Sequence, residues 1–189
     1  MPGPAFLTGD RVTLRPPERE DRNAVQRWMN DPDLWRPALD AKPMNGDLAE
    51  QYFETTLTTE DDVKLLVCVE DTADPIGLVS LTASQYGPTA TDRARSMELA
   101  YHLDPDFHSE GYGSEAAELV VDYGFMDLNL NRIEAEAGAF NDASMGLLES
   151  LGFSREGVRR DAAHYRGDYY DIVTFGVLRE EWAARQPTL

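Results

Sequence analysis

Apolar residues recur along this chain with two periods. Near the start, Leu7 to Leu14 contains the alternating run Arg11-Val12-Thr13-Leu14, which predicts a first strand ended by Arg15-Pro16-Pro17. Glu18 to Asn30 carries Ala24, Val25 and Trp28 at helical spacing, and Asp31-Pro32 ends it. Asp31 to Gly46 is rich in Pro, Asp and aromatics and reads as a loop or short helix, a size of segment that often binds; a second helix follows from about Asp47 to Thr56. Val63–Glu70 and Ile76–Ala83 are β-rich runs around Asp71–Pro75, which predicts a hairpin, and the polar loop Ser84–Arg95 comes next.

The most informative stretch is Ser96 to Phe125. It opens as the short strand-like run Ser96–Leu103, passes through a turn-rich loop to Gly111-Tyr112-Gly113, and continues with Ala116, Leu119, Val120 and Tyr123 on one helical face. A strand ending in a Gly-bearing loop that feeds a helix leaves unpaired N–H groups at the positive end of the helix dipole, where phosphate binds. Two glycines equally suit an ordinary tight turn. The spacing fits neither a P-loop nor the three-glycine dinucleotide fingerprint. Beyond it, Arg132 to Ala137 alternates as a strand, Asn141 is placed to cap a helix that Gly152 closes, and Phe153–Tyr165 and Tyr169–Leu178 form a long hairpin around Arg166-Gly167-Asp168. There is no repeat, linker or second core. This order predicts one mixed α/β (α+β) domain over residues 1–189.

Composition narrows the class. With 42% hydrophobic and 28% charged residues the chain is globular, and no apolar run is long enough for a membrane span. The start, Met1-Pro2-Gly3-Pro4, lacks the basic and apolar regions of a signal peptide, so a cytoplasmic location is expected. The single Cys68 lies in an apolar run and reads as a buried filler. Three histidines and one cysteine at unrelated spacings predict no metal site. Net charge is −18, with 35 acidic residues spread along the chain against 17 basic ones, nearly all arginine; this is the hydrated acidic surface seen in proteins of salt-loving organisms. In ~1 M salt the Debye length is about 3 Å, so such a field is solvent adaptation rather than substrate steering. No Lys/Arg run exists to bind nucleic acid.

With these motifs in place, the chain resembles the GNAT N-acetyltransferases, and within them the RimJ/RimL-like branch, over almost its whole length. The resemblance rests on Leu7-x-x-x-Arg11-Val12-x-Leu14-Arg15 with Asp21 and Trp28, on Glu98-Leu99-Ala100-Tyr101-His102-Leu103, and on His108-x-x-Gly111-x-Gly113 with Glu115-Ala116. Asn141-x-x-Ser144, Leu151-Gly152-Phe153, Arg166-Gly167-x-x-x-Asp171 and Glu181-Trp182 complete it, the last two groups resembling the family's closing strand.

The resemblance implies a mostly antiparallel sheet of about six to seven strands with a splayed central strand, and about four helices. It implies direct attack of a primary amine on acetyl-CoA. Tyr101, His102 and Leu103 would pair with the pantetheine arm, a backbone N–H there polarising the thioester carbonyl. His108, Ser109, Gly111, Tyr112, Gly113 and Ser114 would cradle the pyrophosphate, and Asn141 would contact the pantetheine or adenosine side.

The chain also departs from the family pattern. His108, Ser109 and Glu110 replace the usual cradle residues, and an acid ~4 Å from a phosphate costs about 1 kcal/mol per charge pair in water and about 4 at an effective dielectric of 20. Glu110 is therefore expected to face solvent. Leu148 stands where many relatives carry a tyrosine that protonates the leaving thiolate, which leaves Ser144 as donor or as a first-turn serine satisfying the backbone. Glu98 is the candidate base; His102 reads as a packed histidine. Trp28 and Tyr123 are expected in the core. Trp35, Arg36, Tyr169 and Tyr170 line the acceptor or simply pack.

Without a well-placed base and tyrosine, a low-pKa amine is the easier acceptor, since an α-amine with pKa about 8 is about a tenth neutral at pH 7. The expectation is thus acetylation of a protein N-terminus. Small amines (polyamines, aminoglycosides, amino-acid derivatives) or a non-catalytic acyl-CoA-binding module are the alternatives. Monomer and homodimer are both open.

Overall fold

Gly9, Asp10 and Arg11 break the first apolar run in two. A computed structural model describes residues 3–38, 42–69, 74–83 and 95–185, and in it Leu7–Thr8 (β1) and Thr13–Arg15 (β2) pair antiparallel across a turn closed by Gly9 N–H to the Val12 carbonyl at 2.9 Å. The expected single strand is therefore a short hairpin, because the turn-forming Gly9-Asp10 outweighs the alternation that follows it. The chain clusters into two units, Met1–Leu81 with Tyr101–Val120, and Thr82–Ala100 with Val121–Leu189.

In the first unit, β2, Val63–Cys68 (β3) and Gly77–Ala83 (β4, which ends in the second unit) continue the antiparallel order, with Arg15 opposite Leu66 and Leu66 opposite Leu78. The helical spacing of Ala24, Val25 and Trp28 holds in Arg22–Met29 (α1), where all three are buried with Phe53, Leu57, Leu66 and Leu78. Asp31 does not merely stop α1: its carboxylate accepts from Asp33 N–H at 2.8 Å and caps the one-turn helix Pro32–Trp35 (α2). Gly46–Tyr52 (α3), capped by Asn45, ends in a π-turn over Phe53–Leu57 whose Thr56 carbonyl accepts from the buried Lys64 ammonium. Arg15 and Asp21 form a buried bidentate pair with both contacts at 2.7 Å. Cys68, expected as a buried filler, is half-buried beside Arg15, and burial pushes its thiol pKa up.

In the second unit, the first part of Ser96–Leu103 (β5, which ends in the first unit) pairs in parallel with Arg132–Gly138 (β6) over Ser96–Glu98 against Arg132–Glu134. That ladder covers three residue pairs and ends at Glu98. β6 pairs antiparallel with Asp168–Leu178 (β8), and β8 with Ser154–Tyr165 (β7). Arg166 and Gly167, both at positive φ (54° and 91°), make the two-residue turn of that hairpin.

Asp142–Ser150 (α5) starts at the Asn141 cap and closes at Gly152, whose φ of 83° and whose neighbour Phe153, donating back to the Leu148 carbonyl, form the glycine C-terminal motif. Glu181 and Trp182, expected with the closing strand, lie in a further helix, Arg179–Arg185 (α6). Glu181 accepts there from the Leu178 N–H at the helix start, and Trp182 donates to Asp122.

The long helix Tyr112–Met126 (α4) buries Ala116, Ala117, Val120, Val121 and Phe125; Leu119 and Tyr123 are only half-buried, so its inner face is turned from the expected one. The described residues hold eight strands, mixed and mostly antiparallel, and six α-helices, two strands and two helices coming from short pieces at the N-terminal end and α6.

Candidate active site

The strand–loop–helix stretch forms as its residues dictate. Asp104 caps a 3-10 turn at Pro105–Phe107, and His108 Nε2 sits 2.9 Å from the Leu103 carbonyl. Ser109 and Gly111 take positive φ, 63° and 85°, and α4 begins with Glu115 N–H donating to the Gly111 carbonyl at 3.1 Å. Helix geometry leaves the N–H groups of Tyr112, Gly113 and Ser114 without intrahelical partners, at the end of a 15-residue dipole. Glu110 is exposed, as expected for an acid at such a place.

One contact here was not read from the sequence. The Glu115 carboxylate accepts from the Arg11 and Val12 amides at 2.7 and 3.1 Å and from Arg11 Nε at 3.1 Å, while Arg11 Nη1 donates to the Glu110 carbonyl at 2.8 Å. Burial alone would raise the Glu115 carboxyl, but those donors outweigh it and hold it below the usual carboxylate range. Arg11 and Glu115 both stand in the motifs quoted above, yet they are 104 positions apart and no local pattern pairs them.

His102 packs edge-on against Trp28, ring centroids 5.3 Å apart, in the first unit. Burial pushes its imidazole down to about 4, so it is neutral at pH 7, and its Nε2 and the Trp28 Nε1 have no hydrogen-bond partner among the described residues. Tyr101 and Leu103 on either side are half-buried; the Leu103 backbone and the His102 carbonyl crowd Gly77, where a Cβ would meet that oxygen at 2.3 Å.

Glu98 belongs to the second unit. Its partner across the parallel ladder is Glu134, and Glu136 lies two residues on along β6, ion-paired with Arg159. Burial raises the Glu98 carboxyl pKa first, Glu136 and Glu134 raise it further, and Arg159 offsets part of this. A carboxyl so placed is a better proton acceptor than an ordinary surface acid. In the same unit Asn141 Oδ1 accepts from the Ser144 N–H at 3.1 Å, so its carbonyl serves the helix while its amide NH₂ has no partner among the described residues. Ser144 is half-buried in the first turn of α5, and Leu148 is fully buried core.

The remaining candidates are ordinary: Arg36 lies over Trp35, Tyr170 packs on Phe140, and Tyr169, paired with His164, is exposed. Residues 84–94, most of one loop expected to shape acceptor choice, and 39–41 of the other lie outside the described residues.

Eight mostly antiparallel strands with one parallel ladder among them, and a glycine loop opening the long helix, are the frame in which these residues stand. The family model described as "Acetyltransferase (GNAT) domain" matches residues 11–154, and the chain belongs to that family as an acetyl-CoA-dependent N-acetyltransferase. It is 30% identical over 182 residues to the uncharacterized N-acetyltransferase p20 of Bacillus licheniformis, covering 94% of this chain and 98% of that protein. It is 25% identical to the spermidine N(1)-acetyltransferase of Escherichia coli K12, covering 94% and 91%. Among solved structures, the spermidine N-acetyltransferase of Vibrio cholerae in complex with CoA and spermine superposes with a TM-score of 0.81 at 22% identity, covering 93% of this chain and 99% of that one.

Proposed function

We propose that this protein, a GNAT of RimJ/RimL-like type, acetylates a primary amine that arrives as a cation, with Glu98 taking the proton the amine must lose. The observation that carries this is the setting of Glu98: a half-buried carboxyl whose affinity for a proton is increased by burial and by Glu136 and Glu134. Glu134 pairs with Arg132 and Glu136 with Arg159, so the group is partly neutralised, and Glu98, raised first by burial, is matched to deprotonating an ammonium.

The fit to the co-substrate is judged from the loop. The open N–H groups at the start of α4 and the positive φ at Ser109 and Gly111 suit a pyrophosphate held chiefly by backbone, with His108, Ser109, Gly111, Tyr112, Gly113 and Ser114 around it. Acetyl-CoA supplies the acetyl thioester. Tyr101, His102 and Leu103 orient the pantetheine arm through their backbone, and Asn141 contacts the pantetheine or adenosine side of the coenzyme. Ser144 donates a hydrogen bond to the departing thiolate and relays a proton to it from solvent water, the role that Leu148 cannot fill. The whole chain is read as one functional domain.

A small polyamine is the leading acceptor on this reading, as an amine that arrives charged and must lose a proton to Glu98. The whole-length likeness to a spermidine acetyltransferase supports it. The second reading, a protein N-terminal α-amine, is favoured by Leu148: with no phenol at that place, an acceptor already partly neutral at pH 7 suits the site. Thiol release from acetyl-CoA over a panel of spermidine, spermine, an aminoglycoside and short unblocked peptides is the test. The highest kcat/KM is expected with a polyamine. A peptide preference selects the second reading, and coenzyme binding without release on any amine overturns both.

A further inference from the structure

The loop that opens α4 has no cation of its own. Between Ser96 and Asn131 the chain contains not one Lys or Arg, and acids stand at Asp104, Asp106, Glu110 and Glu115 around the turn itself. Tertiary structure brings one cation there. Arg11, from the β1–β2 turn, donates Nη1 to the Glu110 carbonyl at 2.8 Å and Nε to Glu115 at 3.1 Å, lies over the Tyr112 ring at 5.1 Å, and places Nη2 2.9 Å from where a Cβ on Gly111 would stand.

The effect on the loop follows from peptide geometry. A trans peptide is planar, with its carbonyl and N–H pointing to opposite sides. Holding the Glu110 carbonyl on Arg11 therefore turns the Gly111 N–H away from Arg11. With a small residue at Gly111 and positive φ on both sides of Glu110, that peptide plane is otherwise easily flipped. A flip would point a carbonyl, not an N–H, at an approaching anion. The guanidinium also adds positive charge to a segment otherwise entirely acidic.

We infer that Arg11 is a positioning residue for the phosphate end of coenzyme A, holding the Glu110–Gly111 peptide so that the Gly111 N–H faces the pyrophosphate. This rests on the reading of His108–Ser114 as the pyrophosphate loop.

The test compares acetyl-CoA with acetyl-pantetheine, which carries the same thioester without the nucleotide. Arg11→Met is expected to lower the ratio of kcat/KM for acetyl-CoA over acetyl-pantetheine by about 10-fold or more, through KM rather than kcat. Arg11→Lys, which keeps charge but not the two-pronged hold, is expected to lower it less, and it carries the test if Arg11→Met does not fold. A ratio unchanged from wild type in the folded variants overturns the inference, because a merely structural arginine would impair both donors alike. Hydrogen exchange on the wild type separates this from failure of the underlying reading. Coenzyme A, but not pantetheine, should slow exchange over residues 110–115; if it does not, the loop reading itself falls. If it does and the ratio stays constant, Arg11 alone is wrong.

Discussion

The loop at the start of α4 and the carboxylate group on β5 and β6 solve opposite problems. On the reading proposed above, the first binds with backbone: its chemistry is a row of N–H groups, and its side chains either leave, as Glu110 does, or hold the frame, as Arg11 and Glu115 do. The second, on the same reading, works with a side chain: burial first, and then Glu136 and Glu134, make Glu98 hold its proton more tightly. A backbone site depends on conformation and is insensitive to titration; a carboxylate site depends on charge and shifts with pH. Substitutions should therefore separate into affinity effects in the first region and rate or pH effects in the second.

The sharpest test of that division is Glu98→Gln. Loss of a general base typically costs about 10²–10⁴-fold, so kcat/KM for the amine should fall by at least about 10² with acetyl-CoA affinity unchanged, read by steady-state kinetics and calorimetry. Its pH profile sharpens the point. Glu98 must be ionised to accept a proton, so activity rises with pH through its raised pKa, and Glu136→Gln, by removing a like charge, should move that acid limb to lower pH.

His102 belongs to neither pattern and should act on stability. Its folded value near 4 lies below the ordinary 6.5, so from pH 6.5 down to 4 the unfolded chain takes up a proton that the folded chain refuses. That stability is complete above pH 6.5 and is lost as pH falls, by up to about 3 kcal/mol. Denaturant melts of His102→Leu should show a flatter pH dependence than wild type across that window; parallel curves would mean the imidazole is not buried neutral.

Ser144→Ala should lower kcat about 10-fold at constant acetyl-CoA affinity. Unaltered turnover would return Ser144 to first-turn structure. The smallest effect is expected from Glu110→Arg, a few-fold tighter acetyl-CoA binding at low salt that fades as salt is raised. Unchanged or weaker affinity in calorimetry would place Glu110 away from the phosphates.

Much of this was legible from local pattern. The α1 face, the Asn141 cap, the Gly152 stop, the antiparallel β3–β4 pairing and the Arg166-Gly167 turn each depend on a few neighbouring residues and formed where expected, while residues 70–73 of the β3–β4 turn lie outside the described residues. The misreadings have two origins. The β1–β2 turn, α2 and α6 are shorter than the windows over which a period shows, and the inner face of α4 turned because Ala117 and Val121 are small enough to pack where Leu119 and Tyr123 only half fit.

Sequence by itself determined the elements, the family and which residue types stand in the loop, because caps, turns and periods are encoded within a few positions. Only tertiary structure decided what surrounds them. The parallel register sets Glu134 across from Glu98, the packing on Trp28 leaves His102 neutral, and a contact spanning 104 positions ties Arg11 to Glu115. Burial and long-range pairing set charge and pKa, and neither has a local signature.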